Sequence, residues 1–333
     1  MADVVAIDTD SRAQDIATAV ARTRESVELL RHRDILLKTI DSTLRGHAKA
    51  EIAAAFRASG RKFLVIAPAF PAAGRTTRHG IQYVSGLRVD ESHYAADPIH
   101  PVRTARIADL VDSICGPVRI CSGADGLHSD ARVLILDAAR QSELDAHVRR
   151  IEDLSQVLWV GSPGLATALA GLLPQAAHPV TPPKPAKRLL IVAGSANPVT
   201  HAQCDYLAKA GIPVFTNPAT APDEPVLCLT VPRQRLASPP LTAVVKQAAD
   251  WLRSGRFDAV VATGGETMAA ILAQLGIDRF HLTGEIEPGF PIGSAIHAGR
   301  TLVLAMKAGG FGKSDTLLRA ARTLYHEKDH HHD

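Results

Sequence analysis

Cysteine is scarce in this chain of 333 residues: four are present, Cys115, Cys121, Cys204 and Cys228, and only the first two lie near each other. No C-x-x-C pair and no metal-ligand spacing appears, which argues against a zinc site or a redox dithiol and leaves buried reduced thiols as the expectation. Net charge is scant too, +3 from 37 basic and 34 acidic residues. A nucleic-acid partner is therefore not indicated by bulk electrostatics. No apolar run is long enough to span a bilayer and no signal peptide opens the chain, so a cytoplasmic protein with no membrane partner is expected. Two nucleotide signatures are missing as well. No G-x-G-x-x-G follows the first strands, which weakens a dinucleotide-dependent dehydrogenase. A Walker A loop is excluded because Lys307 stands where that pattern requires its first glycine.

What is present is a soluble-protein composition, 46% hydrophobic, in a length that allows two domains with real cores. Strand-like runs at residues 4–7, 35–40 and 63–67 alternate with helical patterns at 13–30 and 48–57. Further strands are expected at 118–121, 133–136 and 157–160, with helices at 143–154 and 165–173. Such alternation implies a largely parallel sheet with helices on its faces. Between residues 68 and 100 the pattern dissolves into Pro, Gly, Arg and His, which reads as a long functional loop. The fold class expected is α/β, two α/β domains with largely parallel sheets and the active site in the cleft between them. The boundaries expected are an N-terminal domain at 1–176, a proline-rich linker at 177–187, a C-terminal domain at 188–325 and a polar, histidine-rich tail at 326–333.

Three strand, small-residue loop, helix units fill the second half. Residues 189–193 run into Gly194-Ser195-Ala196-Asn197, residues 259–263 into Gly264-Gly265-Glu266-Thr267, and residues 301–306 into Lys307-Ala308-Gly309-Gly310-Phe311-Gly312. A proline-rich excursion at 218–240 interrupts them. Loops at the carboxyl ends of parallel strands gather into one crevice, where glycines admit an anion to backbone N–H groups and helix N-termini favour negative charge. Lys307 is expected to add a full charge, and a nucleotide's phosphate chain is the natural occupant.

Hydroxyls and guanidinium groups collect at strand ends in the first half: Asp8 to Arg12 with Ser11, then Lys38, Asp41, Ser42, Thr43 and Arg45, then the stiff loop from Pro68 to Gly80 carrying Arg75. Asp41 or Ser42 could serve simply as a helix N-cap, but a cap needs neither the lysine nor the arginine. Together these groups suit a small, hydroxylated, anionic molecule.

The motifs K-x-x-D-S-T-L-R-G, P-A-F-P-A-A-G-R-T-T, G-S-x-N-x-V-T-x-x-Q, T-G-G-E-T, G-E-I-E-P-G-x-P and K-A-G-G-F-G-x-x-D, in this order, resemble those of the four-carbon acid sugar kinase family. The resemblance implies a sugar-acid-binding N-terminal domain, an ATP-binding C-terminal domain, and phosphorylation of acids of the threonate, erythronate or 3-oxo-tetronate type. By it, Ser195, Gly264, Gly265, Glu266, Thr267, Gly309 and Gly310 would meet ATP; the chemistry of phosphoryl transfer adds Lys307 at the phosphates and Mg²⁺ bridging the nucleotide oxygens. Ser11, Arg12, Lys38, Asp41, Ser42, Arg45 and Arg75 would face the acid, Arg45 in a catalytic role and Asp41 as the best remaining base. Family members begin with an acidic D-D-x-T-G-A-like loop upstream of the segment matching Asp8 to Arg12, and this chain starts after it. That departure leaves a catalytically silent binding protein as the alternative. A homodimer is one assembly open to it.

Overall fold

Alternating apolar runs and amphipathic segments set the order of elements. A computed structural model describes residues 4–97, 100–122, 131–174, 184–195, 197–217, 219, 221–232 and 240–325. Two compact units are resolved, Met1–Gln175 and Ala176–Asp333. The first contains α1 (Ile16–Leu30), β1 (Leu36–Thr39), α2 (Ala48–Ser59), β2 (Phe63–Ala67), β3 (Arg75–Arg78), β4 (Ile81–Val84), β5 (Leu87–Arg88), β6 (Val118–Cys121), β7 (Val133–Leu136), α3 (Gln141–Arg149), β8 (Val157–Gly161) and α4 (Pro163–Ala170).

Its main sheet is parallel throughout, in the order β1-β8-β2-β7-β6. Strands covered on both faces read as continuous apolar runs, as Leu64-Val65-Ile66 does. Leu64 and Ile66 pack with Ile52 and Phe56 of α2, whereas Val65 joins Trp159, Leu144 and Leu165 on the opposite face.

Two sequence expectations fail in this unit. Residues 4–7 form no strand, and Val4 is 72% exposed. Their apolar run finds no strand partner among the described residues, and an unpaired run does not hold an extended conformation alone. Residues 68–100 are not one long loop. They contain an antiparallel sheet, β3-β4-β5, with Thr77 opposite Gln82 and Tyr83 opposite Arg88. Its turns, His79-Gly80 and Ser85-Gly86, hold both residues at positive φ, the geometry that matches strand twist in tight hairpins.

The second unit contains β9 (Leu189–Ala193), α5 (Pro198–Lys209), β10 (Val214–Phe215), β11 (Val226–Thr230), α6 (Pro240–Ser254), β12 (Ala259–Thr263), α7 (Gly265–Leu275), β13 (His281–Glu285), β14 (Pro291–His297), β15 (Arg300–Lys307) and α8 (Thr316–Leu324). The order is β10-β11-β9-β12-β15-β14-β13, parallel except for β14 and β13. One face packs Val244, Ala248 and Ile271, and the other packs Leu207, Leu317 and Ala320. β11 lies inside the expected proline-rich excursion, where flanking prolines mask a fully buried strand.

Of the expected linker, residues 184–187 are described: Ala186 is buried and bridges to Tyr325, and the Lys187 and Arg188 N–H groups donate to the Asp258 carboxylate at 3.0 and 2.8 Å. Residues 177–183, the tail 326–333 and Ala196 lie outside the described residues. All four cysteines are free and buried. No described helix is long and apolar enough to cross a membrane.

Candidate active site

In the first unit, β1 and β2 deliver their C-terminal loops to a common neighbourhood. Asp41 Oδ1 accepts from the Thr43 N–H at 2.9 Å and the Thr43 hydroxyl at 2.8 Å. Its Oδ2 accepts from Arg45 Nη2 at 2.6 Å, Arg45 Nε at 2.9 Å and Arg12 Nη2 at 3.3 Å. Leu44 takes a left-handed φ of +62° to let the chain turn back on Asp41, whose carbonyl accepts the Leu44 N–H at 2.9 Å. A bulky residue adopts that conformation only where its surroundings enforce it.

Arg45 also reaches Asp97 at 3.2 Å and lies 4.9 Å over the Tyr94 ring. The Tyr94 hydroxyl accepts from Arg75 Nη2 at 3.2 Å, and Arg75 Nη1 donates to the Ala73 carbonyl. His93 stacks on Tyr94 with ring centroids 4.0 Å apart. Burial first, then the Arg75 and Arg45 charges, lowers the His93 pKa and so favours its neutral ring. Gln82, fully buried, ties the loops: its Nε2 donates to the Ser42 carbonyl at 2.7 Å and the Pro68 carbonyl at 3.3 Å, and its Oε1 accepts from Thr77 at 2.7 Å.

Arg12, Asp41, Arg45 and Arg75 are thus brought together. Ser11 accepts from Thr9 beside them at 3.1 Å, in a segment pinned by His47, whose Nε2 is 2.7 Å from the Gln14 carbonyl, and by His100 on the Arg12 carbonyl. Ser42 is buried, and its carbonyl serves Gln82. Lys38 is not free for a ligand, since its ammonium is 2.7 Å from Glu51 in a pair nearly closed to solvent. Asp41 is a poor proton acceptor. Burial raises its pKa, but the Arg45 and Arg12 charges and the Thr43 hydrogen bonds outweigh that and lower it, whereas a general base works best with a pKa near the operating pH. Its geometry orients Arg45.

In the second unit β12 lies between β9 and β15, so their three C-terminal loops open side by side. Asn197 caps α5, its Oδ1 accepting from the Val199 N–H at 2.9 Å, and its own N–H donates to Ser195 Oγ at 3.2 Å. Gly264 turns at φ +94° and donates to the Lys307 carbonyl at 2.7 Å. The loops pack glycine backbone against side-chain hydroxyls: a Cβ on Gly194 would fall on Thr267 Oγ1, and one on Gly309 on Ser195 Oγ. Gly265, the first residue of α7, faces open space, and Glu266 beside it is exposed.

Lys307 departs from expectation. It is 0% exposed and lies beneath the glycine-rich loop, its Nζ donating to the carbonyls of Ala308 at 2.9 Å, Gly309 at 3.2 Å and Phe311 at 2.9 Å. Burial lowers its pKa to about 8, with Glu287 and Cys204 opposing.

Several neighbours escaped the sequence reading. Tyr94, Asp97 and Gln82 carry no local signal, because a hairpin and a short turn bring them in. Glu287, which accepts from Thr316 at 2.8 Å and pairs with Arg319, belongs to the G-E-I-E-P-G-x-P motif, as Thr200 and Gln203 belong to G-S-x-N-x-V-T-x-x-Q. Among the described residues no group of three or more His, Cys, Asp or Glu stands ready for a metal ion.

A family model described as a sugar-binding N-terminal domain matches residues 1–169, and a nucleotide-binding C-terminal domain matches residues 229–317. The D-threonate kinase of Bordetella bronchiseptica is 34% identical over 363 residues, covering 97% of this chain and 86% of that protein. The chain belongs to the four-carbon acid sugar kinase family. Other family relatives include the D-threonate kinase of Salmonella typhimurium, 27% identical over 96% of this chain and 88% of that one, and the 3-oxo-tetronate kinase of Actinobacillus succinogenes, 28% identical over 83% and 77%. A solved Haemophilus influenzae protein, 22% identical, shares the fold at a TM-score of 0.65 over 94% of this chain and 88% of that one. Membership makes the chain a phosphotransferase with a sugar-acid unit and a nucleotide unit.

Proposed function

We propose that the protein transfers the γ-phosphoryl group of ATP to a hydroxyl of a four-carbon sugar acid of the threonate, erythronate or 3-oxo-tetronate type. The observation that carries this reading is the convergence of Ser195, Gly264, Thr267 and Gly309, with glycine backbone packed against the Ser195 and Thr267 side chains and Gly265 open at the start of α7, an arrangement suited to an anion. Ser195, Gly264, Gly265, Glu266, Thr267, Gly309 and Gly310 hold the nucleotide. Arg45, Arg75 and Arg12 hold the acid, with Ser11 beside them.

Phosphoryl transfer asks for positioning and charge neutralisation more than for covalent chemistry. Arg45 and Arg75 fix the substrate carboxylate, and the Tyr94 ring and Asp41 keep the Arg45 plane in place. The acceptor oxygen forms the new P–O bond, the bond to the leaving ADP oxygen breaks, and the hydroxyl proton is released. Mg²⁺ bound to the triphosphate would neutralise charge on its oxygens.

A coupled assay of ADP release over a panel of four-carbon acids tests the reading. Acid-dependent turnover with Mg-ATP supports it. No turnover with any of these acids, in protein that is folded and binds ATP, overturns it.

A further inference from the structure

We infer that Thr200, Gln203 and Lys307 are positioning residues for the nucleotide: from beneath, they hold the carbonyls of the glycine-rich loop inward and so turn its N–H groups toward the phosphates. This rests on the second unit's being the nucleotide site. Thr200 Oγ1 donates to the Gly309 carbonyl at 3.0 Å, and Gln203 Nε2 donates to the carbonyls of Phe311 at 3.0 Å and Lys313 at 2.8 Å. Lys307 adds its bonds to Ala308, Gly309 and Phe311. All three side chains are fully buried, and Thr200 and Gln203 are one helical turn apart on the same face of α5.

The consequence follows from peptide geometry. A trans peptide is planar, with its C=O and the next N–H pointing in opposite directions, and no cis bond occurs among the described residues. Carbonyls of Gly309, Phe311 and Lys313 held toward α5 therefore aim the N–H groups of Gly310, Gly312 and Ser314 away from it. The Phe311 and Lys313 N–H groups are spent within the protein, on the Ala308 carbonyl at 3.0 Å and Thr316 Oγ1 at 2.9 Å, so the donors turned outward alternate along the loop and present one face to an anion.

An ammonium has three donors, and three loop carbonyls take them, so Lys307 has no donor left for a phosphate and acts through the loop. Burying an amide and an ammonium is costly without compensating bonds, and apolar side chains would fill the same space. What they could not do is fix the direction of each peptide.

The test is a set of near-isosteric variants read for nucleotide and acid separately. Thr200→Val and Gln203→Met should each raise the Kd and KM for Mg-ATP by about tenfold, the loss expected for a buried hydrogen bond, while the KM for the acid stays within about twofold. Thr200→Ser, which keeps the hydroxyl, should restore ATP affinity. Lys307→Met should weaken ATP at least as much, and if it fails to fold, the Thr200 and Gln203 variants still decide. Unchanged ATP affinity in folded Thr200→Val and Gln203→Met overturns the inference and leaves these residues a packing role. If wild-type protein gives no Mg-ATP binding at all, the nucleotide reading falls first and this inference with it.

Discussion

Arg45 grips Asp41 through two nitrogens, Nη2 at 2.6 Å and Nε at 2.9 Å, while its other arm lies 3.2 Å from Asp97. One guanidinium is thus shared between two carboxylates of the chain. On the proposed function, the acid would replace Asp97 on the outer arm while Asp41 keeps the plane fixed. Asp41→Asn should therefore raise the KM for the acid by about tenfold and lower kcat by no more than about tenfold. Loss of a general base would instead cut kcat by about 100- to 10,000-fold with little change in KM, so steady-state kinetics on both substrates separate the two roles.

Removing either of the arginines proposed to hold the acid should separate acid from nucleotide. Arg45→Ala or Arg75→Ala removes a charge-assisted contact worth about 1.5 to 3 kcal/mol, hence roughly ten- to a hundredfold in acid affinity. The rise in melting temperature induced by Mg-ATP should persist in both variants. Normal acid binding in both would move the pocket elsewhere.

Gly265 gives a clean probe of the nucleotide site because a Cβ there meets no protein atom. Gly265→Val should leave the ligand-free melting temperature close to wild type and abolish the shift produced by Mg-ATP. Calorimetric unfolding with and without nucleotide measures both quantities. A retained shift would place the phosphates away from the start of α7.

Lys307 makes stability depend on alkaline pH. Its folded pKa is about 8 against 10.5 for the ordinary side chain, lowered by burial and partly restored by Glu287 and Cys204. Between those values the unfolded chain carries a proton that the folded one lacks, so this contribution to stability rises with pH up to 10.5 and is lost as pH falls toward 8. Lys307→Met should remove a rising component of at most about 1.4 kcal/mol per pH unit over that window, measured by denaturant unfolding. ATP affinity in the wild type should decline over the same window, because the neutral amine has one donor fewer for the loop.

The parallel framework was legible because doubly covered strands are apolar along their whole length: residues 63–67 and 259–263 were bounded from sequence as the structure has them. The β3-β4-β5 sheet was hidden by polar strands such as Arg75-Thr76-Thr77-Arg78, although Ser85-Gly86 is a turn signal that could have exposed it. Convergence of the three small-residue loops of the second unit was readable from the repeated strand, loop, helix pattern, but strand order, which makes it physical, was not. Lys307 shows the sharper limit. A lysine beside glycines suggests a phosphate ligand, and only coordinates reveal that its ammonium faces inward.

Gln82 joins the Asp41 loop to the Arg75 loop from a fully buried position, with donors to Ser42 and Pro68 and an acceptor for Thr77. Segments from different strands are thereby one mechanical body, and thermal motion cannot carry the arginine of one away from the carboxylate of the other without breaking a bond shielded from water. On the proposed reading, the acid meets a surface of fixed shape. Association is then a docking event whose speed is set by diffusion and charge rather than by the time a loop takes to find its shape.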